Sequence, residues 1–278
     1  MFEIVLEKTL TKTRYRSLLW VGGLALAALA WPALGTNTSL DQKSILYPEQ
    51  RHENIGELVT QFVEKQHYNS IAVDDDLSSR VLDLFIESLD RNRVYLLEGD
   101  VEFFETYRFQ LDDMVRSRPL DPVFEMYQVY QTRVHERLEF ALEQLQVEPD
   151  FLVEEYYQFD RSEEPWAKTS AELDEIWRKR VKNDALNLVL EGEPWEKAQE
   201  VLIKRYKGYL RRLDQVNNDD VFERFMNAFA HTLDPHSSYL SPRNSEEYRI
   251  QMSLSYFGIG ASLQTEDDFV KIAGIIPG

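Results

Sequence analysis

The stretch Asp121-Pro122-Val123-Phe124-Glu125-Met126-Tyr127-Gln128-Val129-Tyr130-Gln131-Thr132-Arg133-Val134-His135-Glu136-Arg137-Leu138-Glu139-Phe140-Ala141-Leu142-Glu143-Gln144-Leu145 decides the fold class. Asp121 followed by Pro122 reads as an N-cap and a proline at the first helical position. Behind it Phe124, Tyr127, Tyr130, Val134, Leu138, Leu142 and Leu145 recur at helical spacing, ending before Pro149. The same period continues on both sides. Upstream, one stripe is Ile55, Leu58, Val59, Phe62 and Val63. A second, opened by Asp74-Asp75-Asp76, is Leu77, Val81, Leu84, Phe85 and Leu89. A third, begun at Gly99-Asp100, is Val101, Phe103, Phe104, Tyr107 and Leu111. Downstream, Leu173, Ile176, Trp177, Val181, Ala185 and Leu188 lead to a break at Gly192-Glu193-Pro194. Trp195, Ala198, Leu202, Tyr206, Tyr209 and Leu213 follow. Asn217-Asn218 then caps a helix bearing Phe222, Phe225, Met226 and Phe229. About seven helices are expected, with almost no period-2 alternation before residue 250.

Two regions depart from this pattern. Residues 148–165 hold two prolines, seven acids and one Arg, and read as an exposed loop whose docking role is an open alternative. Beyond residue 250, Gly258, Gly260 and Gly274 concentrate glycine, Thr265-Glu266-Asp267-Asp268 reads as a turn, and Phe269-Val270-Lys271-Ile272 as a strand. A lone hairpin is marginal in water, so more chain is expected after Ile275-Ile276-Pro277-Gly278.

Composition narrows the function. Across 278 residues, 31 Lys and Arg face 49 Asp and Glu, a net charge of −18. That balance argues against nucleic acid and against anionic membrane surfaces as partners. Zero cysteines exclude disulfides, thiolate metal sites and thiol catalysis. Residues 1–35 read as a secretory signal peptide: Lys8, Lys12, Arg14 and Arg16, an apolar run Leu18–Ala30, then Ala33 and Gly35. An uncleaved anchor is the alternative. Export to the periplasm is expected in a Gram-negative cell.

Candidate chemistry is sparse. His231, Asp234 and His236 hold metal-ligating types, but Pro235 forbids the continuous helix that would align them. Asp234, His236 and Ser237 or Ser238 hold triad types, yet neighbours on an extended chain point apart. Asp74-Asp75-Asp76 fits a helix N-terminus better than a calcium loop. Gly258-Ile259-Gly260-Ala261-Ser262-Leu263 lacks the third glycine of a dinucleotide loop. No catalytic residue, metal or cofactor is assigned. Tyr256-Phe257-Gly258-Ile259-Gly260 is left as either an ordinary bend or a backbone nest for a carboxylate beside a strand edge that could pair with a peptide.

Two runs carry a family resemblance. Leu233-Asp234-Pro235-His236-Ser237-Ser238-Tyr239-Leu240-Ser241-Pro242-Arg243-Asn244, leading to Phe257-Gly258-Ile259-Gly260-Ala261, resembles the region entering the PDZ domain of carboxy-terminal processing proteases, closest to the tail-specific branch. Leu77-Ser78-Ser79-Arg80-Val81-Leu82-Asp83, Leu89-Asp90-Arg91-Asn92-Arg93-Val94-Tyr95-Leu96 and Asp100 are similar to that branch's N-terminal helical domain. The likeness runs from Leu40 to Gly278. It implies a periplasmic serine endopeptidase acting on protein substrates with apolar C-termini, with Tyr256, Phe257, Gly258, Ile259 and Gly260 at the PDZ carboxylate-binding loop. The family's catalytic Ser and Lys lie beyond the PDZ domain, so neither role falls on a residue here. The expected architecture is mainly α: a signal peptide at 1–35, a multi-helix domain at 36–250, and the first β-hairpin of an incomplete PDZ domain at 251–278. A truncated or incompletely read gene is expected, inactive as a peptidase. The rival expectation is a non-enzymatic helical protein that holds a protein adaptor.

Overall fold

The computed structural model describes residues 45–67, 71–117, 119–253, 260–266 and 269–275, all within the compact unit Lys43–Gly278. Nine helices precede one hairpin among them. The helices are α1 (Gln50–Gln66), α2 (Asp75–Asp90), α3 (Glu98–Glu105), α4 (Leu111–Ser117), α5 (Asp121–Gln144), α6 (Ser170–Leu190), α7 (Trp195–Asp214), α8 (Asn218–Leu233) and α9 (Pro242–Ser253). Strands β1 (Ala261–Glu266) and β2 (Phe269–Ile275) pair antiparallel, with Leu263 opposite Ile272 and a register shift beside Ser262. The mainly α expectation holds. No helix among the described residues is long and apolar enough to cross a membrane. The signal segment at 1–35 lies outside the described residues.

Helix α5 is the spine. Its 24 residues give a length of about 36 Å, enough to serve two cores. Val123, Phe124, Met126 and Tyr127 pack with α1, α2, α4 and α8. Val134, Leu138 and Ala141 pack with Trp177 and Val181 of α6 and Leu202 and Tyr206 of α7. Tyr130 touches both clusters. The N-cap is Leu120, with Pro122 in the first turn, one residue earlier than the sequence pattern suggests. Proline tolerates either of the first helical positions because neither N–H has an intrahelical partner.

Helix α1 buries only one edge of its apolar stripe, with Val63 buried and Ile55 and Val59 half-buried against the core. His52, Gly56, Thr60 and Val63 face inward, while Leu58 and Phe62 are 67% and 55% exposed. His52 is the reason at one end. Its Nδ1 accepts the Glu49 N–H at 3.1 Å, so Nε2 carries the proton and donates to Asp219 at 2.9 Å. Its ring stacks on Phe222 at 4.6 Å. Gly56 is the reason in the middle, since a Cβ there would lie 2.9 Å from the Val115 carbonyl oxygen. Gly56→Ala gains about 1 kcal/mol of helix propensity but forces α1 off α4, an overpacking that costs about 1–3 kcal/mol. A net loss of stability in urea unfolding is the expected outcome.

The third expected helix is two helices. Ser78 of α2 donates to the Arg108 carbonyl at 2.7 Å and accepts the Leu111 N–H at 2.8 Å. Those backbone groups are satisfied across the structure, so the helix ends at Glu105 and restarts at Leu111. Helix α9 has no buried residue and no apolar stripe to announce it.

Residues 148–165 lie outside every helix and strand, but they are pinned. Lys182, buried on α6, donates to the Val153 carbonyl at 2.8 Å and to Glu155 at 2.7 Å. Arg178 forks onto the same carboxylate. Hydrogen bonds from Arg178 and then Lys182 hold the Glu155 carboxyl down at about 2. A carboxyl depressed in the folded state stabilises it above the ordinary Glu range of about 4.3 and loses that effect as pH falls towards 2. Glu155→Gln should therefore lower the ¹⁵N order parameters of residues 152–158 at pH 7. Wild type should show the same loosening only below about pH 4.

Candidate functional site

The segment leaving α8 is built as a strap. Helix α8 opens with the Asn217 side chain accepting from the N–H groups of Asp219 and Asp220 at 2.9 and 3.2 Å. Its apolar face, Phe222, Phe225, Met226 and Phe229, is fully in the core. On the adjoining face stand Glu223 and Asn227, one turn apart. Asn227 Oδ1 accepts the Tyr239 N–H at 2.9 Å. Glu223 accepts the Ser241 N–H at 3.1 Å and both its oxygens lie 2.8 Å from Asn244 Nδ2. The Tyr239 ring meets Phe222 edge-on, with centroids 5.4 Å apart. Burial, with Asp219 and Glu223 nearby, pushes the Tyr239 hydroxyl above its ordinary range. Ser241 is buried, and its carbonyl accepts the Ser245 N–H at 2.8 Å in the first turn of α9.

Within this strap the residues with metal-ligating or triad chemistry do structural work. Asp234 Oδ1 accepts the His236 N–H at 2.7 Å, and its carbonyl accepts the Ser237 N–H at 3.0 Å. This is an aspartate turn that ends α8. The His236 side chain is 93% exposed. No group of three His, Cys, Asp or Glu among the described residues could hold a metal ion. Beside the strap, an open cleft of about 630 Å³ runs between α2 and α8, lined by Leu84, Glu87, Arg224, Asn227, His231 and Asn244. Its serine, Ser88, donates to the Phe85 carbonyl at 2.7 Å. Arg224 donates to the Ser88 carbonyl at 2.5 Å and ties α8 to α2.

Of the expected carboxylate loop, Tyr256, Phe257, Gly258 and Ile259 lie outside the described residues. Gly260 is described: exposed, at φ 68°, directly before β1. That backbone conformation suits glycine and turns the chain into the strand. Glu223 and Asn227 were not among the sequence candidates. Their signal is a polar i, i+4 pair beside an aromatic stripe, which many solvent-facing helix edges share.

The resemblance residues of the helical domain also acquire a reason. Asp90, at the end of α2, is buried, and its carboxylate accepts the N–H groups of Val94, Tyr95 and Leu96 at 3.0, 2.8 and 2.9 Å. Arg93 within that turn is left-handed, at φ 52°. The Val94 carbonyl accepts the Trp177 indole N–H at 2.7 Å. Asp100 accepts the Leu97 N–H at 2.9 Å and a bidentate pair from Arg133 at 2.8 and 3.0 Å. The Val94–Trp177 bond ties the turn after α2 to the second core, and the Asp100–Arg133 pair ties α3 to α5.

Comparison with known proteins agrees with this placement. Residues 59–243 match the family described as the tail-specific protease N-terminal domain. A tail-specific protease of Haemophilus influenzae is 35% identical over 252 residues, covering 90% of this chain and 36% of the relative. The chain thus spans about a third of that relative's length. The match covers α2 through α8 whole, with the Asp90 turn, and reaches across the strap to Arg243. By that match the chain belongs to the tail-specific protease N-terminal domain family.

Proposed function

We propose that this chain is the non-catalytic, substrate-presenting part of a tail-specific serine endopeptidase. Residues 36–250 form its helical domain and 251–278 begin a PDZ domain that takes apolar C-termini of protein substrates. The strap is the observation that carries this reading. A two-core helical body holds its outgoing chain by side-chain clasps, and a glycine turn at Gly260 and an antiparallel hairpin follow later in the sequence. One face of that hairpin shows Leu263, Val270 and Ile272, each more than half exposed. A further layer would have to cover this face. The signal-peptide layout of residues 1–35 favours a periplasmic place of action.

The terminal carboxylate is the group to probe. A fluorescent decapeptide ending in two apolar residues should raise anisotropy with the purified chain, and amidating its C-terminus should abolish the change. Equal binding of acid and amide would favour the adaptor-holding alternative. The chain by itself should not cleave either peptide, and cleavage blocked by a serine-directed inhibitor would overturn the non-catalytic assignment.

A further inference from the structure

We propose that the solvent face of the second half of α7 docks a short acidic stretch of a partner polypeptide, its carboxylates seated between Arg211 and Arg212. Residues 201–213 carry Lys204, Arg205, Lys207, Arg211 and Arg212 and no acid, in a chain whose net charge is −18. At about 100° per residue these bases fall on one side of the helix, away from the buried Leu202, Tyr206 and Leu213. All of them are exposed. Arg205, Lys207, Arg211 and Arg212 make no ion pair and no side-chain hydrogen bond among the described residues. Arg108, Arg133 and Arg178 differ: each meets two carboxylates.

Helix stability does not account for the arrangement. Bases complement the macrodipole only in the last turn, which covers Arg211 and Arg212 but not Arg205 or Lys207. Lys207 and Arg211 stand at i, i+4, where like charges weaken a helix. Gly208 lies between them, and glycine inside a helix is less stable than alanine. Packing does not demand it. A Cβ there would meet only Arg212 Nη1 at 3.6 Å and Arg211 Nη2 at 3.9 Å, both ordinary contacts. The two guanidinium groups therefore flank an open notch, with Arg212 held over the Tyr209 ring at 4.7 Å. Two planar forks beside a side-chain-free position suit carboxylates.

The charge around the patch sets the partner's length. Glu196 and Glu200 lie towards one end of α7 and Asp214 at the other. From Lys204 to Arg212 the helix rises about 12 Å, which matches about four residues of extended chain. A long polyanion would run on to those acids and the acidic remainder of the molecule. A short acidic stretch meets the bases alone.

The probe is the peptide Gly-Ser-Gly-Glu-Glu-Glu-Glu-Gly-Ser-Gly, acetylated, amidated and carrying an uncharged dye. With the full chain, its Kd from anisotropy should weaken about tenfold in R211A/R212A. R205A/K207A leaves the last turn intact and should weaken it by about the same factor. K168A/R249A removes equal charge from two other exposed sites and should stay within about twofold of wild type. Gly208→Leu keeps every charge, favours the helix and fills the notch, so it should weaken binding about fivefold. Circular dichroism of all four variants should match wild type. Equal loss in K168A/R249A, or wild-type binding in Gly208→Leu, would reduce the effect to overall charge and overturn the proposal. No binding to wild type at about 1 mM peptide would overturn it too. So would tighter binding of a short oligothymidylate, or of vesicles rich in phosphatidylglycerol, that R211A/R212A abolishes, since the occupant would then be nucleic acid or membrane. A wild-type dimer in sedimentation that R211A/R212A dissolves would overturn it in favour of a second copy. Blocked peptide ends keep every outcome separate from the terminal-carboxylate reading.

Discussion

Asp90→Ala should remove about 3–6 kcal/mol of stability, a large part of the 5–15 kcal/mol typical of a folded domain. One buried carboxylate serves three backbone donors, and two of these, Val94 and Leu96, are themselves buried. Alanine leaves all three without an acceptor. Each unsatisfied buried N–H costs about 1–3 kcal/mol, and the turn also positions the carbonyl that takes the Trp177 indole. Urea unfolding followed by circular dichroism should show a lower midpoint with an unchanged slope. Asp90→Asn keeps one carbonyl oxygen and should fall between the two. A loss below about 1 kcal/mol for the alanine variant would mean that water serves these donors instead.

The same residue predicts a pH signature. Burial pushes the Asp90 carboxyl above its ordinary range, against the opposing pull of the three N–H groups and Arg180. A carboxyl raised in the folded state contributes stability fully below the unfolded value of about 3.9, and that contribution is lost as pH rises through the folded value. Asn does not titrate. The lead of wild type over Asp90→Asn should therefore shrink as pH rises from about 4 towards neutrality.

What the sequence discloses depends on where each cause lies. Helices α2, α6, α7 and α8 announce themselves because an apolar stripe and its burial coincide, as with Leu77, Val81, Phe85 and Leu89. Helix α1 is legible only in part: Ile55, Val59 and Val63 do meet the core, but close approach at Gly56 and the paired polarity of His52 turn Leu58 and Phe62 outward. The break between α3 and α4 is invisible locally because Ser78, 30 residues from Arg108, causes it. The strap residues stand out as a run, but their anchors do not. Glu223 lies 18 residues before Ser241 and looks like any solvent-facing acid until the chain folds back on it. The 148–165 loop is similar: its acids are legible, while the Lys182 clamp that pins it comes from 27 residues further on.

Removing the strap's anchors together should give a large effect of a different kind. In the double variant E223A/N227A, the N–H groups of Tyr239 and Ser241 and the Asn244 amide lose their acceptors. Hydrogen bonds to a charged acceptor contribute about 1.5–3 kcal/mol each and a neutral one about 1 kcal/mol. The strap's own opening equilibrium should then shift by about 10³–10⁵. Native-state proteolysis between Tyr239 and Asn244 should quicken by a similar factor where cleavage follows the open population. Global unfolding should move little, because Phe222, Phe225, Met226 and Phe229 remain buried on the inner face of α8. That split between local and global stability is the diagnostic. Glu223→Gln sharpens it: the amide retains an oxygen for Ser241 but sets an NH2 against the Asn244 amide, so nicking should be intermediate. Wild-type nicking rates in the double variant would mean that Tyr239 packing on Phe222 alone retains the strap. The glycine turn and hairpin would then be held to the helical body by ring contact, and Tyr239→Ala would become the variant that frees them.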